Sequence, residues 1–277
     1  MIYLRCVTII MTNGNLGIIA CPILEDEMVY NLSNDKELGT VLLIDNPHSM
    51  SIRTKFDRNG IKYKLCSEDD ILNGTVKLPR KGYNAAVWMM DLGLHEEPKN
   101  LRESIRQSSV RMQDHVDAIM LYYGLCGNAL CDLHKWRDEG LRIPITIIRD
   151  GEGMTCDDCI AVAVGGTKKY LKLLKTHPGI MYFTPAFATN FDRLKERMDL
   201  FRGMDANDDT NLKMVFEMAD YHYVMEIPTG LGDEKEFRDA TKRFAERMGF
   251  EIKYLEKEWC TLDPVERSYA EAKASLH

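Results

Sequence analysis

Two hydrophobic patterns alternate along the chain. Short apolar runs of strand length recur from one end to the other, and amphipathic stretches of helix length separate them. The runs that predict strands are 16–20, 41–45, 62–66, 85–91, 117–122, 144–149, 181–183, 224–227 and 251–255. Strands separated by helices of this length require crossover connections. The pattern therefore predicts an α/β fold with a mainly parallel, doubly wound sheet.

Helices are predicted between these strands. Their ranges are 23–32, 49–59, 100–114, 130–139, 157–175, 192–201, 211–220 and 235–248. Asn100 is the predicted N-cap of the helix at 100–114, with Glu103 completing a capping box. The segment 68–83 contains Asn-Gly, Pro-Arg and Lys-Gly pairs, which favour a loop or hairpin. The tail at 264–275 has a helical pattern, and we expect it to pack loosely.

The length of 277 residues permits one large domain or two lobes. We divide the chain into an α/β core at 1–205, which holds the candidate site, and a C-terminal α/β extension at 206–277 packed on that core. Two similar α/β lobes are the alternative organisation.

Composition and charge exclude several classes of protein. A net charge of −7 argues against a general nucleic-acid binder, and no apolar run is long enough to span a membrane. The N-terminus lacks the basic and apolar regions of a signal peptide. Eight cysteines without an export signal are more typical of free thiols or metal ligands than of disulfides. We expect a cytoplasmic protein.

Polar side chains follow four of the predicted strands. These are Cys21, with Glu25 and Glu27 on the next helix; Asp91 and His95; Cys126; and the pair Cys156 and Cys159. Because the carboxyl ends of parallel strands meet at one edge of a sheet, we expect these groups to lie close together. Thiolate and imidazole ligands suit zinc, and three protein ligands with an open position form a catalytic zinc site.

The preferred zinc ligands are His95, Cys126 and Cys159. Cys21, Glu27 and Asp158 are candidates for a fourth ligand or for a group that supports the ligands, and Glu27 and Asp158 are the candidate catalytic carboxylates. Gly124, Gly127 and Asn128 flank Cys126, and we expect them to let the backbone approach the metal and a bound ligand.

Other interpretations of these residues stay open. Cys126 alone is most simply a small buried residue in a tight turn, and His95 can be a hydrogen-bonded loop histidine. Cys156 and Cys159 have the spacing of a thiol redox pair. The acidic residues between them, Asp157 and Asp158, disfavour a thiolate and weaken that interpretation.

The order of several motifs resembles a known family. The motifs are Asp91-x-x-Leu94-His95-x-x-Pro98-x-x-Leu101, Tyr123-Gly-Leu-Cys126-Gly-Asn128, and Asp158-Cys159-Ile160 with Gly165 and Tyr170. They resemble the family catalogued as domain of unknown function 1638, common in methanogenic archaea and anaerobic bacteria, over roughly residues 16–200. The sequence departs from the family where Arg149 to Cys156 replaces a Pro-Arg-x-His segment, so Cys156 would stand in for the histidine.

The resemblance implies a setting in one-carbon metabolism. Family members look to be associated with corrinoid-dependent methyl transfer from methylamines and related compounds. A His-Cys-Cys zinc site is also similar to those of enzymes that methylate a thiol from a methyl-corrinoid. The expected partners are a corrinoid protein or a methylamine-type methyltransferase, and a small thiol or methyl donor. The alternatives are a non-catalytic partner of such a system with a structural metal, and a thiol redox or metallochaperone protein.

Overall fold

A six-stranded parallel sheet forms the larger part of the fold. The computed structural model describes residues 11–197 and 209–276. The strand order is β3-β2-β4-β1-β5-β6, and every neighbouring pair is parallel. The strands are β1 (Gly14–Ala20), β2 (Leu38–Ile44), β3 (Tyr63–Cys66), β4 (Tyr83–Met89), β5 (Ala118–Tyr122) and β6 (Ile145–Ile147). The predicted α/β fold with a parallel sheet is confirmed.

The topological switch point of the sheet lies between β1 and β5, because the chain runs from β1 toward β2 on one side and from β5 toward β6 on the other. Strand β1 pairs with β4 on one side and with β5 on the other. From there β2 and β3 extend the sheet one way, and β6 extends it the other way. Open α/β sheets bind ligands at the carboxyl ends of the strands that flank such a switch point. The segments that follow β1, β4 and β5 are therefore the first place to look for a site.

Apolar clusters lie on both faces of this sheet, and ten α-helices occur in the described residues. The helices are α1 (Glu25–Asn34), α2 (Met50–Arg58), α3 (Glu68–Leu72), α4 (Pro98–Met112), α5 (Cys159–Val164), α6 (Thr167–Thr176), α7 (Pro185–Arg197), α8 (Thr210–Met218), α9 (Glu234–Met248) and α10 (Asp263–Ala274). Ile18 and Met120 point into one apolar cluster, and Ile19 and Leu121 point into the cluster on the opposite face. Because both faces are covered, the strands are continuous apolar runs.

A second, smaller parallel sheet follows in the chain. It consists of β7 (Ile180–Phe183), β8 (Tyr223–Glu226) and β9 (Glu251–Tyr254), in that order. Its core is aromatic: the rings of Phe183 and Phe244 lie 4.7 Å apart, and those of Phe191 and Phe244 lie 4.8 Å apart. Phe191 belongs to α7, so this core fixes the position of that helix. The proposed domain boundary at residue 205 lies outside the described residues and stays a prediction.

Several local predictions were wrong. The segment 68–83 contains α3, which begins in a capping box formed by Ser67 and Asp70. Helix α4 begins at Pro98, because proline suits the first turn, and Asn100 lies inside the helix rather than capping it. The predicted helix at 130–139 is a short 3-10 helix, Leu133–Arg137.

Two further boundaries and one packing prediction also differ. The predicted helix at 157–175 is divided into α5 and α6 at Gly165, whose φ of +89° ends α5 in a left-handed conformation. Helix α7 begins at Pro185, earlier than the predicted range 192–201, of which residues 198–201 lie outside the described chain. The C-terminal helix α10 is not loose, since Val265 and Tyr269 are buried in the core of the first sheet.

Candidate functional site

A cavity of about 300 Å³ opens at the carboxyl ends of β1, β4 and β5. Its polar wall consists of Cys21, His95, Tyr123, Cys126, Asp158 and Cys159, together with Gly124 and Gly127. Its apolar wall consists of Ile23, Leu24, Leu92, Pro98, Phe187 and Leu194. Larger cavities of about 420 and 580 Å³ elsewhere in the described chain contain none of the predicted site residues. The predicted chemistry therefore converges on the cavity at the switch point.

Cys21 is the first residue after β1, and its side chain is 3% exposed. Its Sγ accepts a hydrogen bond from the Ile23 backbone N–H at 3.4 Å and lies 3.2 Å from Nε2 of His95. Burial raises the pKa of the Cys21 thiol, and the nearby Cys126 raises it further. As the structure stands, this thiol is a neutral neighbour of the histidine.

His95 lies in a 3-10 helix, Leu92–Glu96, that follows β4. Asp91 caps this helix by accepting a hydrogen bond from the Gly93 N–H at 3.0 Å. The imidazole stacks on Tyr123, with ring centroids 5.9 Å apart and an interplanar angle of 18°. Burial lowers the pKa of His95 to about 4. The ring is therefore neutral at neutral pH, which is the form that ligates metals.

Cys126 lies in a left-handed turn after β5. The φ angles of Cys126, Gly127 and Asn128 are +47°, +68° and +64°. The turn is fixed by two backbone hydrogen bonds, from Leu125 to the Cys156 carbonyl and from Cys126 to the Asp157 carbonyl, each 2.8 Å long. Non-glycine residues in this region are strained, and such strain clusters at functional sites. Burial raises the pKa of the Cys126 thiol to about 12, and Asp158 and Asp157 add to the effect.

Gly124 determines how closely this turn approaches the segment that carries Cys159. A Cβ atom at Gly124 would lie 2.7 Å from the Cys156 carbonyl oxygen and 2.9 Å from the backbone N of Asp158. Real Cβ atoms do not tolerate such distances, so glycine is required by a close approach of two backbones. The consequence is functional, because this approach places Cys126 and Cys159 in the wall of the same cavity.

Cys159 is the first residue of α5. Asp158 caps that helix, and its Oδ1 accepts hydrogen bonds from the Ile160 and Ala161 N–H groups, each 2.9 Å long. Burial raises the pKa of the Cys159 thiol well above its usual value, and the charges of Asp158, Cys21 and Cys126 raise it further. The three thiols are therefore close enough to affect one another electrostatically.

Several residues discussed in the sequence analysis lie outside the cavity wall, among them Glu27, Asn128 and Cys156. Glu27, in the first turn of α1, is 2% exposed and is near enough to Cys159 to help raise the pKa of its thiol. Asn128 is exposed, and Cys156 is buried in the core of the first sheet. Burial raises the pKa of Glu27 to about 8, with Asp26 adding to the effect. Glu27 can therefore exchange a proton near neutral pH.

Sequence reasoning did not assign several residues of the cavity wall, among them Tyr123, Phe187 and Leu194. Tyr123 belongs to one of the family motifs, and its position between the end of β5 and Gly124 is a usable signal. Its hydroxyl is buried and has no hydrogen-bond partner. Phe187 and Leu194 come from α7, which the aromatic core of the second sheet holds in place. Their approach to the cavity depends on tertiary packing, and no local pattern signals it.

The donor set fits zinc in its chemistry but not in its present spacing. Among residues 11–197 and 209–276, no three His, Cys, Asp or Glu side chains are arranged as the ligands of one metal ion. Three thiols and a neutral imidazole nevertheless line one cavity, and these are the ligand types that zinc takes in proteins. Binding would require these side chains to move toward one another.

The fold and the cavity define an α/β protein with a cavity of thiols and an imidazole at the switch point of its parallel sheet. The family model described as "Protein of unknown function (DUF1638)" matches residues 89–265, and the chain belongs to this family. The match begins and ends later than the range 16–200 predicted from the motifs. It includes His95, Cys126 and Cys159 but not Cys21.

Comparisons beyond the family add no functional information. No curated protein matches the chain. Solved structures of N-acetyl-L-ornithine transcarbamylase match with 13% identity and a TM-score of 0.17, covering 84% of this chain and 66% of that one. The K302R mutant of that enzyme complexed with PALAO matches with 11% identity and a TM-score of 0.18, covering 84% and 67%. The chain thus spans about two thirds of the length of those proteins. TM-scores this low carry no argument about fold or function. In the described part of the chain, no helix has the length and apolar character needed to cross a membrane.

Proposed function

We propose that this protein binds zinc at the cavity and transfers a methyl group to a thiol in anaerobic one-carbon metabolism. One observation carries the proposal: three cysteine thiols and a neutral imidazole, from four separate segments of the chain, line one cavity at the switch point of the sheet. Soft thiolate ligands with imidazole are the ligands of choice for zinc.

His95, Cys126 and Cys159 would hold the metal and leave one position for the substrate thiol. Cys21 lies against His95 and would fill that position when no substrate is bound. Zinc bound in this way would lower the pKa of the substrate thiol and hold its sulfur in place. The raised pKa values of the protein thiols mean that binding releases protons, so affinity rises with pH.

The chain's own residues would orient the reactants and accept the proton. The methyl donor in this proposal is a methyl-corrinoid carried by a partner protein, as the family resemblance implies. In that transfer the thiol sulfur would form a bond to the methyl carbon, and the bond from the methyl group to its carrier would break with its electron pair remaining on the carrier. Glu27, with its pKa raised to about 8, is mostly protonated at neutral pH, and only its ionised fraction, which grows as the pH rises toward 8, would accept the thiol proton.

The position of Cys156 supports the metal proposal over a thiol redox function. Cys156 is packed in the core of the first sheet, and burial raises the pKa of its thiol to about 12. A redox pair needs an accessible cysteine with a lowered thiol pKa. Every cysteine in the described part of the chain is a free thiol, which supports the proposed location in a reducing cytoplasm.

Metal analysis of protein purified without oxygen tests the proposal. We expect about one zinc per chain, lost in His95→Ala and in Cys126→Ser. Cys131→Ser is the matched control, because Cys131 is exposed and lies outside the cavity. Zinc-loaded protein should then transfer the methyl group of free methylcobalamin to a small thiol. The loss of the absorption band of the cobalt–carbon bond measures this transfer. Protein without bound metal would overturn the proposal, and a closed site of four protein ligands without transfer would favour the non-catalytic role.

A further inference from the structure

Charged side chains border the cavity beside two residues of its apolar wall, Leu92 and Leu194. Asp91 directly precedes Leu92, and Arg193 and Arg197 lie on either side of Leu194 in the sequence of α7. Helix α7 packs against the 3-10 helix that begins at Leu92. The two helices therefore bring these charges together next to the cavity, although none of the three charged residues lines it.

Four side chains form this arginine cluster: Asp91, His48, Arg193 and Arg197. Nη1 of Arg197 lies 3.6 Å from Oδ2 of Asp91, and Nε2 of His48 lies 3.8 Å from the same oxygen. Burial lowers the pKa of His48; Asp91 opposes this effect, and Arg197 and Arg193 add to it. The imidazole is therefore neutral at neutral pH. Two arginines then face one carboxylate, which leaves one positive charge without an offset inside the cluster.

The two arginines are held less firmly than an arginine with a purely structural role. Within residues 11–197 and 209–276, neither of them hydrogen-bonds to a carboxylate: the 3.6 Å between Arg197 and Asp91 is too long, and Arg193 donates to the amide oxygen of Asn190 at 3.0 Å. Arg102, in contrast, donates two hydrogen bonds of 3.0 Å to one carboxylate. The side chain of Arg197 is also 50% exposed. Both guanidinium groups thus keep donors available for an oxyanion.

We propose that Arg193 and Arg197 bind the anionic group, a carboxylate or a phosphate, of a small molecule whose apolar body enters the cavity. A guanidinium presents its N–H groups in a planar fork that matches the oxygens of either anion. Leu92 and Leu194, next to the arginines, contact the body of the ligand. The inference concerns the ligand and not the metal, so it and the proposed function can fail separately.

A pair of compounds of nearly the same shape tests the inference. Butyrate is anionic and butyramide is neutral, and ligand-observed NMR titrations measure the affinity of each. Because a zinc ion in the cavity would attract an anion by itself, the titrations use the full chain freed of metal by a chelator. We expect butyrate to bind at least about tenfold more tightly than butyramide, because its carboxylate forms charge-assisted hydrogen bonds. Equal affinities, tighter binding of butyramide, or no binding of either compound would overturn the inference.

Propyl phosphate, in the same titration, identifies the anionic group. Tighter binding of propyl phosphate than of butyrate would support a phosphate, and the reverse order would support a carboxylate. For the preferred anion, the advantage over butyramide should shrink when the salt concentration rises from about 50 to about 500 mM, because the charge of Arg197 is half exposed and is screened. An advantage that does not change with salt would contradict binding by the arginines.

Single substitutions identify the residues that bind the anion. Arg193→Gln and Arg197→Gln should each weaken butyrate binding about 5- to 10-fold, since each removes a charged donor near the solvent. Butyramide binding should stay unchanged in both variants, which shows that the cavity is intact. Arg142→Gln is the matched control, because it removes an equal charge from an exposed arginine that does not line the cavity. Butyrate binding that is unchanged in both variants, or equally weakened in the control, would overturn the inference.

Repeating the titrations with zinc-loaded protein separates the inference from the proposed function. A preference for butyrate that appears only after zinc is added would show that the metal binds the anion, which overturns the inference and leaves the proposed function standing. A metal-free chain that prefers butyrate through the two arginines but never takes up zinc would support the inference and overturn the proposed function.

Discussion

The Cys21 Sγ and the His95 Nε2 lie 3.2 Å apart although 74 positions separate them in the sequence. Cys21 follows β1 and His95 follows β4, and these two strands pair along their whole length in parallel register. The pairing brings the two segments after the strands to the same edge of the sheet. The thiol and the imidazole therefore meet because of the strand order, which places β4 beside β1.

Replacing Cys21 tests whether this thiol supports the proposed metal site. We expect Cys21→Ser to lower zinc affinity about 10- to 100-fold, the range typical for the loss of a group that supports the ligands, and to keep full occupancy at saturating zinc. Competition with a chelator of known affinity measures the change, with Cys131→Ser as control. Affinity equal to that of the unmodified chain would show that Cys21 has no part in the site.

Gly124→Ala tests the close approach of the two backbone segments. The new Cβ would lie 2.7 Å from the Cys156 carbonyl oxygen, so the turn at Cys126 must move away from the segment 156–158. We expect a loss of about 1–3 kcal/mol in the free energy of unfolding, measured by urea denaturation, together with loss of zinc binding.

Gly151→Ala is the matched control for that change. A Cβ at Gly151 makes only ordinary contacts, the nearest at 3.6 Å from an Arg267 nitrogen. The free energy of unfolding of the Gly151→Ala variant should stay within about 0.5 kcal/mol of that of the unmodified chain. Equal effects of the two substitutions would mean that the close approach at Gly124 is not what constrains the turn.

The left-handed conformation of Cys126 predicts an unusual order of stability. Cys126→Gly and Cys126→Ala both remove the thiol, but glycine adopts a φ of +47° without strain and alanine does not. We expect the glycine variant to be more stable than the alanine variant by about 1 kcal/mol, the reverse of the order in ordinary structure, and both to lose zinc. Thermal and urea unfolding of the two variants measure the difference. A more stable alanine variant would show that the turn relaxes once the thiol is removed.

The strand ends could be predicted from the sequence because the alternation of apolar runs and helices fixes a parallel sheet. Cys21, His95 and Cys126 each follow such a run, and placing them at one edge needed no tertiary information. The strand order was beyond sequence reasoning, because it depends on where β4 inserts between β1 and β2. For the same reason, Phe187 and Leu194 could not be assigned to the cavity, since α7 reaches it through packing on the second sheet. The capping box of Ser67 and Asp70 was readable and was overlooked among the turn residues around it.

The burial of Glu27 predicts how stability depends on pH. Its pKa is raised from 4.5 to about 8, first by burial and then by the charge of Asp26, while Lys55 acts in the opposite direction. Between pH 4.5 and about pH 8, the folded chain keeps a proton on Glu27 that the unfolded chain has lost. The free energy of unfolding should therefore fall as pH rises from about 5 to 8, by a few kcal/mol, and this contribution should level off above that range.

Glu27→Gln isolates this contribution because glutamine resembles the protonated acid and does not ionise. Urea denaturation of metal-free protein at intervals between pH 5 and 9 should give a flatter profile for the variant than for the unmodified chain. At pH 9 the variant should be the more stable of the two, since only the unmodified chain then has a charged carboxylate buried at 2% exposure. His95, with its pKa lowered to about 4, contributes the opposite slope between pH 4 and 6.5, so the comparison with the variant removes its effect. Parallel profiles would mean that the pKa of Glu27 is not raised in the folded chain and that its carboxylate is ionised at neutral pH.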